Sequence, residues 1–234
     1  DPAVPADADV WVVEVASYQA TDVARTPPVV AVTSLHADHL TWHGDEAAYQ
    51  RDKLSLCTQP GARLTVANGE DARLRAHRDL LGPEVRWVGP AGAWADGLGL
   101  AGRHNRIDAE VARAALEAMG VPEAGDEAAL AAAAAGFTPL PSRMERVATV
   151  DGVDFVDDGL STNVLPTLAA VASYPGRRVA LLVGGHDRGI YYAPLADGLH
   201  DRTDETLVLT LPDNGPRIAA ALEPTNPLVM TILQ

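Results

Sequence analysis

Three histidines and an aspartate fall close together in His36-Ala-Asp38-His39-Leu-Thr-Trp-His43, just after the apolar run Pro28–Ser34. Neutral imidazole binds divalent metals, and the carboxyl end of a strand is where α/β proteins place ligands. One reading is a closed zinc site on His36, His39 and His43, although no cysteine and no H-E-x-x-H pattern accompanies it. The other is a set of loop histidines that cap or meet solvent, which is the reading favoured for His43. Glu14 sits in the apolar run Val10–Val15, where a buried carboxylate needs a cation. An arginine would serve, and so would Mg²⁺ at a strand end.

Lys53 is the single lysine among 18 Lys and Arg residues. A coding bias can convert exposed lysines to arginines. A position that resists the bias is a candidate for chemistry that needs a neutral amine, which guanidinium cannot supply; an ordinary exposed helix lysine is the alternative. Further along, Asp157-Asp158-Gly-Leu-Ser161-Thr162-Asn163 combines acids and hydroxyls at a strand-to-helix turn suited to ribose or phosphate oxygens, or to nothing more than an N-cap on Ser161 or Thr162. Gly184-Gly185-His-Asp-Arg188-Gly189 follows a strand and reads as a weak anion cradle.

The elements that must position these groups alternate between strand and helix patterns, which predicts an α/β fold. Strands are expected at Val10–Val15, Pro28–Ser34, Ala62–Ala67, Val85–Val88 and Leu207–Leu211, with Arg178–Val183 a buried one. Helices are expected at Asp45–Leu56, Asp71–Leu81, Arg106–Met119, Asp126–Ala135 and Asn163–Ser173, and around Pro216–Leu222. Val147–Val150 and Val153–Val156 are expected to pair through an Asp151-Gly152 turn. The two prolines of Phe137-Thr-Pro-Leu-Pro-Ser142 predict a linker and hence two domains, 1–138 and 139–234.

A net charge of −14 argues against a nucleic-acid surface. One cysteine, Cys57, excludes an internal disulfide and suits a reducing cytoplasm. No apolar run approaches the ~20 residues of a membrane span.

Taken in order, these stretches resemble the Mur ligases, the ATP-dependent amide ligases of peptidoglycan precursor synthesis. The similar stretches are Val12-Val-Glu-Val-Ala-Ser17-Tyr-Gln19, Ala37-Asp-His-Leu40, the Tyr49–Leu54 lysine helix, Leu100-Ala-Gly-Arg-His104-Asn105, Pro141-Ser-Arg143-Met-Glu145, Asp158–Asn163 and Gly184–Gly189. Together they span residues 10–200. The resemblance is closest to the enzymes that add glutamate to UDP-N-acetylmuramoyl-L-alanine. Asp38–Gly44 and Asp157–Asn163 look like the divergent branch that adds L-glutamate rather than D-glutamate.

The resemblance implies a Mur ligase central ATPase-type domain followed by a Rossmann-like C-terminal domain, both partial. It also implies a reaction in which ATP converts the substrate carboxylate to an acyl phosphate and the amine of glutamate attacks it. By position, Glu14 would hold the Mg²⁺ on the ATP phosphates, His39 would hold a second Mg²⁺, and Lys53 would be the carbamylated lysine that supports that second metal. His104, Asn105 and Asp108 would lie near adenine, and Arg143 and Asp158 would contact the nucleotide. Ser17, Thr162 and Arg188 would bind substrate, the last two near the glutamate carboxylates.

Some positions depart from the family pattern: Ser34 replaces an Asn, Leu160 a Lys, and Asp108 an Asn. No G-K-[ST] loop is present, so the P-loop and the UDP-binding domain are expected before residue 1, and the end of the C-terminal domain after Gln234. The chain would then be a fragment, inactive alone, of a cytoplasmic monomer. A folate polyglutamate synthase, another Mur ligase and a non-catalytic α/β binding module are the alternatives.

Overall fold

The computed structural model describes residues 8–187, 189–224 and 229–231. They divide into two compact units, one of residues 8–98 and 105–137, the other of residues 99–104 and from 138 onward.

In the first unit the chain runs through α1 (Ser17–Ala20), β1 (Val29–Val32), α2 (Leu40–His43), α3 (Glu46–Leu54), β2 (Leu64–Asn68), α4 (Ala72–Ala76), β3 (Val85–Val88), α5 (Arg103–Ala118) and α6 (Glu127–Ala135). The strands form one parallel sheet in the order β1-β2-β3. Successive residues of β2 serve opposite faces, as the two-residue period of a strand requires. Ala67 packs into a cluster with Val30, Val32, Leu35, Leu54, Leu74 and Leu81, while Val66 joins Val88 of β3 and Ile107, Val111 and Ala114 of α5. Both faces are covered, as a parallel sheet requires.

Helix starts follow local chemistry. Asp45 accepts from the Ala48 N–H (2.7 Å), Asp71 from Arg73 and Leu74, and Asp126 from Ala128 and Ala129, each satisfying donors that a helix leaves open. Asp71 also accepts the Leu35 N–H (3.0 Å), which ties the loop after β1 to α4.

The expected strand at Val10–Val15 is absent. β1 pairs only with β2 among the described residues, so this β-branched run has no ladder to join. Val12 is 91% exposed. The expected helix over Asp71–Leu81 breaks at His77, whose backbone leaves the helical region and whose ring bonds the Arg73 carbonyl. A 3₁₀ turn, Arg78–Leu81, completes it. The short helices α1 and α2 carry too few residues for a periodic signal.

The second unit contains β4 (Glu145–Val150), β5 (Val153–Asp157), α7 (Val164–Ala172), β6 (Val179–Gly185), α8 (Ala193–His200), β7 (Thr206–Asp213), α9 (Gly215–Leu222) and β8 (Val229–Thr231). β4 and β5 form an antiparallel hairpin. Its turn residues Asp151 (φ 50°) and Gly152 (φ 80°) are both left-handed, as a tight hairpin demands. β6, β7 and β8 form a parallel sheet in that order, packed on Val164, Val171, Leu195, Leu199, Ile218 and Leu222.

β6 is not the buried strand its composition suggests. Among the described residues it lies at the edge of its sheet, and its burial alternates: Leu181 packs on the core, while Leu182 is 59% exposed.

Leu74 is fully enclosed in the first core. Leu74→Ala is expected to cost about 2–5 kcal/mol of stability, read from urea unfolding; a loss under about 1 kcal/mol would mean that this core is not close-packed.

Candidate active site

The chain after β1 carries the histidine cluster, and the structure separates its three members. His36 pairs with Arg73 and lies 3.9 Å from Asp71. Burial, then the Arg73 charge, holds its imidazole below the usual histidine range, against the pull of Asp71 and Glu46. His39 caps α2 with a left-handed backbone (φ 51°), a strained conformation for a residue with a Cβ. Its half-exposed ring lies 3.7 Å from the Asp38 carboxylate and edge-on to Tyr18.

His43 behaves oppositely to its expectation as a solvated loop histidine. Its ring is fully buried. Nδ1 lies 2.7 Å from Asp52 Oδ2, and Nε2 lies 2.9 Å from Ser17 Oγ. Trp42 and Tyr49 meet the ring edge-on, with centroids 4.5 and 5.3 Å away. Among the described residues no three His, Cys, Asp or Glu side chains converge to hold a metal. The zinc reading of His36, His39 and His43 is therefore withdrawn, because the three rings are engaged by different partners.

Lys53 lies on α3, one turn from Tyr49, with Nζ 5.8 Å from the Tyr49 ring centroid. Burial holds its amine below the usual lysine range, while the Asp38 and Glu14 carboxylates oppose that shift. Glu14 is thus within electrostatic reach of Lys53, from an exposed, irregular segment rather than the expected buried strand. Ser17, at the start of α1, is buried (4% exposed) against His43. Glu14, Ser17, His39 and Lys53 all belong to the first unit. Sequence reasoning singled out Asp38 with the histidines but overlooked Asp52. The adjacency of Asp52 to Lys53 was the available signal.

In the second unit the loop after the linker is pinned. Ser142 (φ 56°) and Met144 (φ 52°) are left-handed. The Ser142 hydroxyl donates to Asp157 (2.7 Å) and its N–H to Glu145 (3.0 Å). The Met144 N–H donates to Asp158 (3.1 Å), and Ser161 also donates to Asp158. Arg143 is held between the two strained residues with its side chain exposed. The Ser142 hydroxyl, followed by the Gly159 N–H, keeps the Asp157 carboxyl below the usual range. Asn163, not Ser161 or Thr162, caps α7, its side chain accepting the Val164 N–H. Thr162 is exposed.

The Gly184-Gly185 turn is not an open anion cradle. The Gly185 N–H donates to Asn214 (2.9 Å), and a Cβ at Gly184 would strike Leu211, so glycine there serves a close strand approach. Asp187 pairs with Arg217. Arg188 lies outside the described residues. His104, Asn105 and Asp108 occupy the first turns of α5.

Each unit thus has a parallel three-stranded sheet covered by helices, an α/β arrangement in which loops at strand ends are free to carry ligands. In sequence the chain is similar to ligases of the Mur family over most of its length. No model of a known protein family matches it, but curated relatives do. It is 42% identical to the UDP-N-acetylmuramoyl-L-alanine–L-glutamate ligase of Xanthomonas axonopodis pv. citri (strain 306), over 92% of this chain and 48% of that protein. It is 41% identical to the protein of the same name from Micromonospora sp. (strain ATCC 39149), over 92% and 51%. The chain spans about half the length of the curated relatives it matches.

Solved structures agree on the fold. A pseudomurein peptide ligase type C from Methanothermus fervidus superposes with a TM-score of 0.63 at 13% identity, over 88% of this chain and 52% of that one. MurF from Acinetobacter baumannii gives 0.60 at 13%, over 92% and 52%. A Mycobacterium tuberculosis folylpolyglutamate synthase complexed with ADP gives 0.62 at 19%, over 88% and 53%.

Burial, then the Asp38 charge, pushes the Tyr49 hydroxyl from 10.0 to about 12. Between those values the unfolded chain has released a proton that the folded chain keeps, so stability falls as pH rises through this window. Tyr49→Phe is expected to flatten that fall when urea midpoints at about pH 8 and about pH 11 are compared. An equal fall in parent and variant would contradict the burial of the Tyr49 hydroxyl.

Proposed function

We propose that this chain is part of an ATP-dependent ligase that joins L-glutamate to UDP-N-acetylmuramoyl-L-alanine through an amide bond. The observation that carries the proposal is the neighbourhood of Lys53: a single lysine, desolvated, with two carboxylates acting on its amine, in a chain about 40% identical to ligases named for that reaction.

A desolvated amine loses its proton more readily than a solvated one. The neutral Nζ then adds to carbon dioxide, forming an N–C bond and releasing one proton. The product is a carbamate, and arginine could not take the same path. Among the described residues the unmodified side chains do not form a three-donor metal site. A carbamate on Lys53 would add two oxygens to the carboxylates of Glu14 and Asp38, and such a hard oxygen set suits Mg²⁺. His39 stands beside Asp38 as a further donor. When bound, the metal neutralises phosphate charge, most of what phosphoryl transfer asks of a protein.

The protein groups do the positioning. Ser17 would meet the precursor; His104, Asn105 and Asp108, with Arg143 and Asp158, would hold the nucleotide; Thr162 and Arg188 would face glutamate. Partners are accordingly small molecules.

The test is phosphate release by the full-length gene product with ATP and UDP-N-acetylmuramoyl-L-alanine, with L-glutamate and D-glutamate supplied separately. Turnover with L-glutamate, at least tenfold over D-glutamate, is the expected result (about 1.4 kcal/mol of discrimination). Preference for D-glutamate would overturn the stereochemical assignment, and failure with both would overturn the ligase reading.

Lys53→Arg is expected to lower kcat at least 100-fold while ATP binding changes little, since one transition-state charge contact is commonly worth about 10²–10³ in rate. Activity within a few-fold of the parent would exclude the carbamate role.

A further inference from the structure

Two large aromatic rings near Lys53 stand half in water and have no part in the reading above. α2 is a single turn, so the inward aim of His43 sends its neighbour Trp42 about 100° away. Trp42 is 57% exposed, and Tyr18 on α1 is 43% exposed. Neither ring is loose. Trp42 meets the buried His43 ring edge-on at 4.5 Å, and Tyr18 meets the His39 ring edge-on at 5.8 Å. The two aromatics lie 6.3 Å apart with their planes tilted by 55°. Exposed apolar surface held in one place marks a binding site.

The shape of the pair sets the ligand class. An aromatic face is electron-rich, so it attracts the polarised C–H bonds of a sugar. Rings tilted by 55° cannot both stack on one planar base, whereas a puckered pyranose turns C–H bonds toward both. The phenol O–H and the indole N–H at the ring rims can meet sugar hydroxyls.

Position sets which sugar. Tyr18 packs on His39, and His39 stands beside Asp38, whose carboxylate acts on the Lys53 amine. In the acceptor of the proposed reaction a lactyl and an alanyl unit separate the sugar ring from the reacting carboxyl, a reach of about 7 Å when extended. We infer that Tyr18 and Trp42 form a platform for the muramoyl pyranose ring, from which the acceptor's carboxyl reaches the Asp38–His39 corner. The identity of the sugar rests on the ligase reading; the platform rests on two exposed, fixed rings.

Nuclear Overhauser contacts between Trp42 and bound UDP-N-acetylmuramoyl-L-alanine test this in the full-length gene product, the Trp42 signals being those lost in Trp42→Phe. Contacts to the pyranose protons are expected. Contacts to the uracil protons instead, or none to the ligand, would overturn the inference. In kinetics, Trp42→Ala is expected to raise KM for this precursor about 10–100-fold, the worth of burying one large ring, with KM for ATP within about twofold. kcat should change little, because such a platform holds ground state and transition state alike. Trp42→Phe keeps a ring and should recover most of the loss. Parental KM in Trp42→Ala, a parallel rise in KM for ATP, or no recovery in Trp42→Phe would each overturn the inference. If the parent turns over no substrate, the ligase reading falls alone, and the Overhauser contacts still decide whether a sugar sits on the platform.

Discussion

The site in the first unit depends on one enclosed polar chain, in which the His43 ring is held between Asp52 and Ser17. A buried imidazole is costly unless both nitrogens are satisfied; here both are, by groups from two other helices. Such a network specifies one arrangement, because any slip of α1 or α3 would strand a buried polar atom. Three short segments that could not fold alone are fixed by it: α1 and α2 have four residues each, and α3 has nine. Lys53 inherits its place from this arrangement. It is one residue from Asp52 and one turn from Tyr49, whose ring packs on both His43 and the lysine amine.

The second unit uses a different device for a similar end. Its loop before β4 carries two left-handed, non-glycine residues, a conformation that costs energy at each. Side chains of Glu145, Asp157 and Asp158 offset the cost by accepting hydrogen bonds from the loop. An exposed Arg143 is thereby presented from a rigid base. Strain held by surrounding bonds, rather than a mobile tip, is what a group needs if it must meet a polyanion repeatedly in one geometry.

Most of the regular architecture was legible in the sequence. Helix starts at Asp45 and Asp126 and the hairpin turn at Asp151-Gly152 follow from local chemistry that tertiary structure does not override. Val10–Val15 was misread because strand propensity says nothing about whether a partner strand is present. β6 was misread because an apolar run does not reveal whether its strand lies at a sheet edge. At the site, motif order singled out Lys53 and Glu14 separately, but not the electrostatic reach between them. The burial of His43 was not: its two partners lie 9 and 26 residues away, and a histidine followed by glycine looks like a loop. Gly184 and Gly185 were read as part of a weak anion cradle, when the close passage of Leu211 alone calls for glycine at 184. The same two residues satisfy either demand, and only the neighbouring strand distinguishes them.

The central claim is that the first unit holds Lys53 so that its amine can be neutral and take up carbon dioxide. ¹³C NMR of the full-length gene product equilibrated with ¹³C-bicarbonate tests it most directly. The account predicts one protein-bound carbamate resonance, present in the parent and absent from Lys53→Arg. No such resonance in the parent, or one that persists in Lys53→Arg, would contradict it.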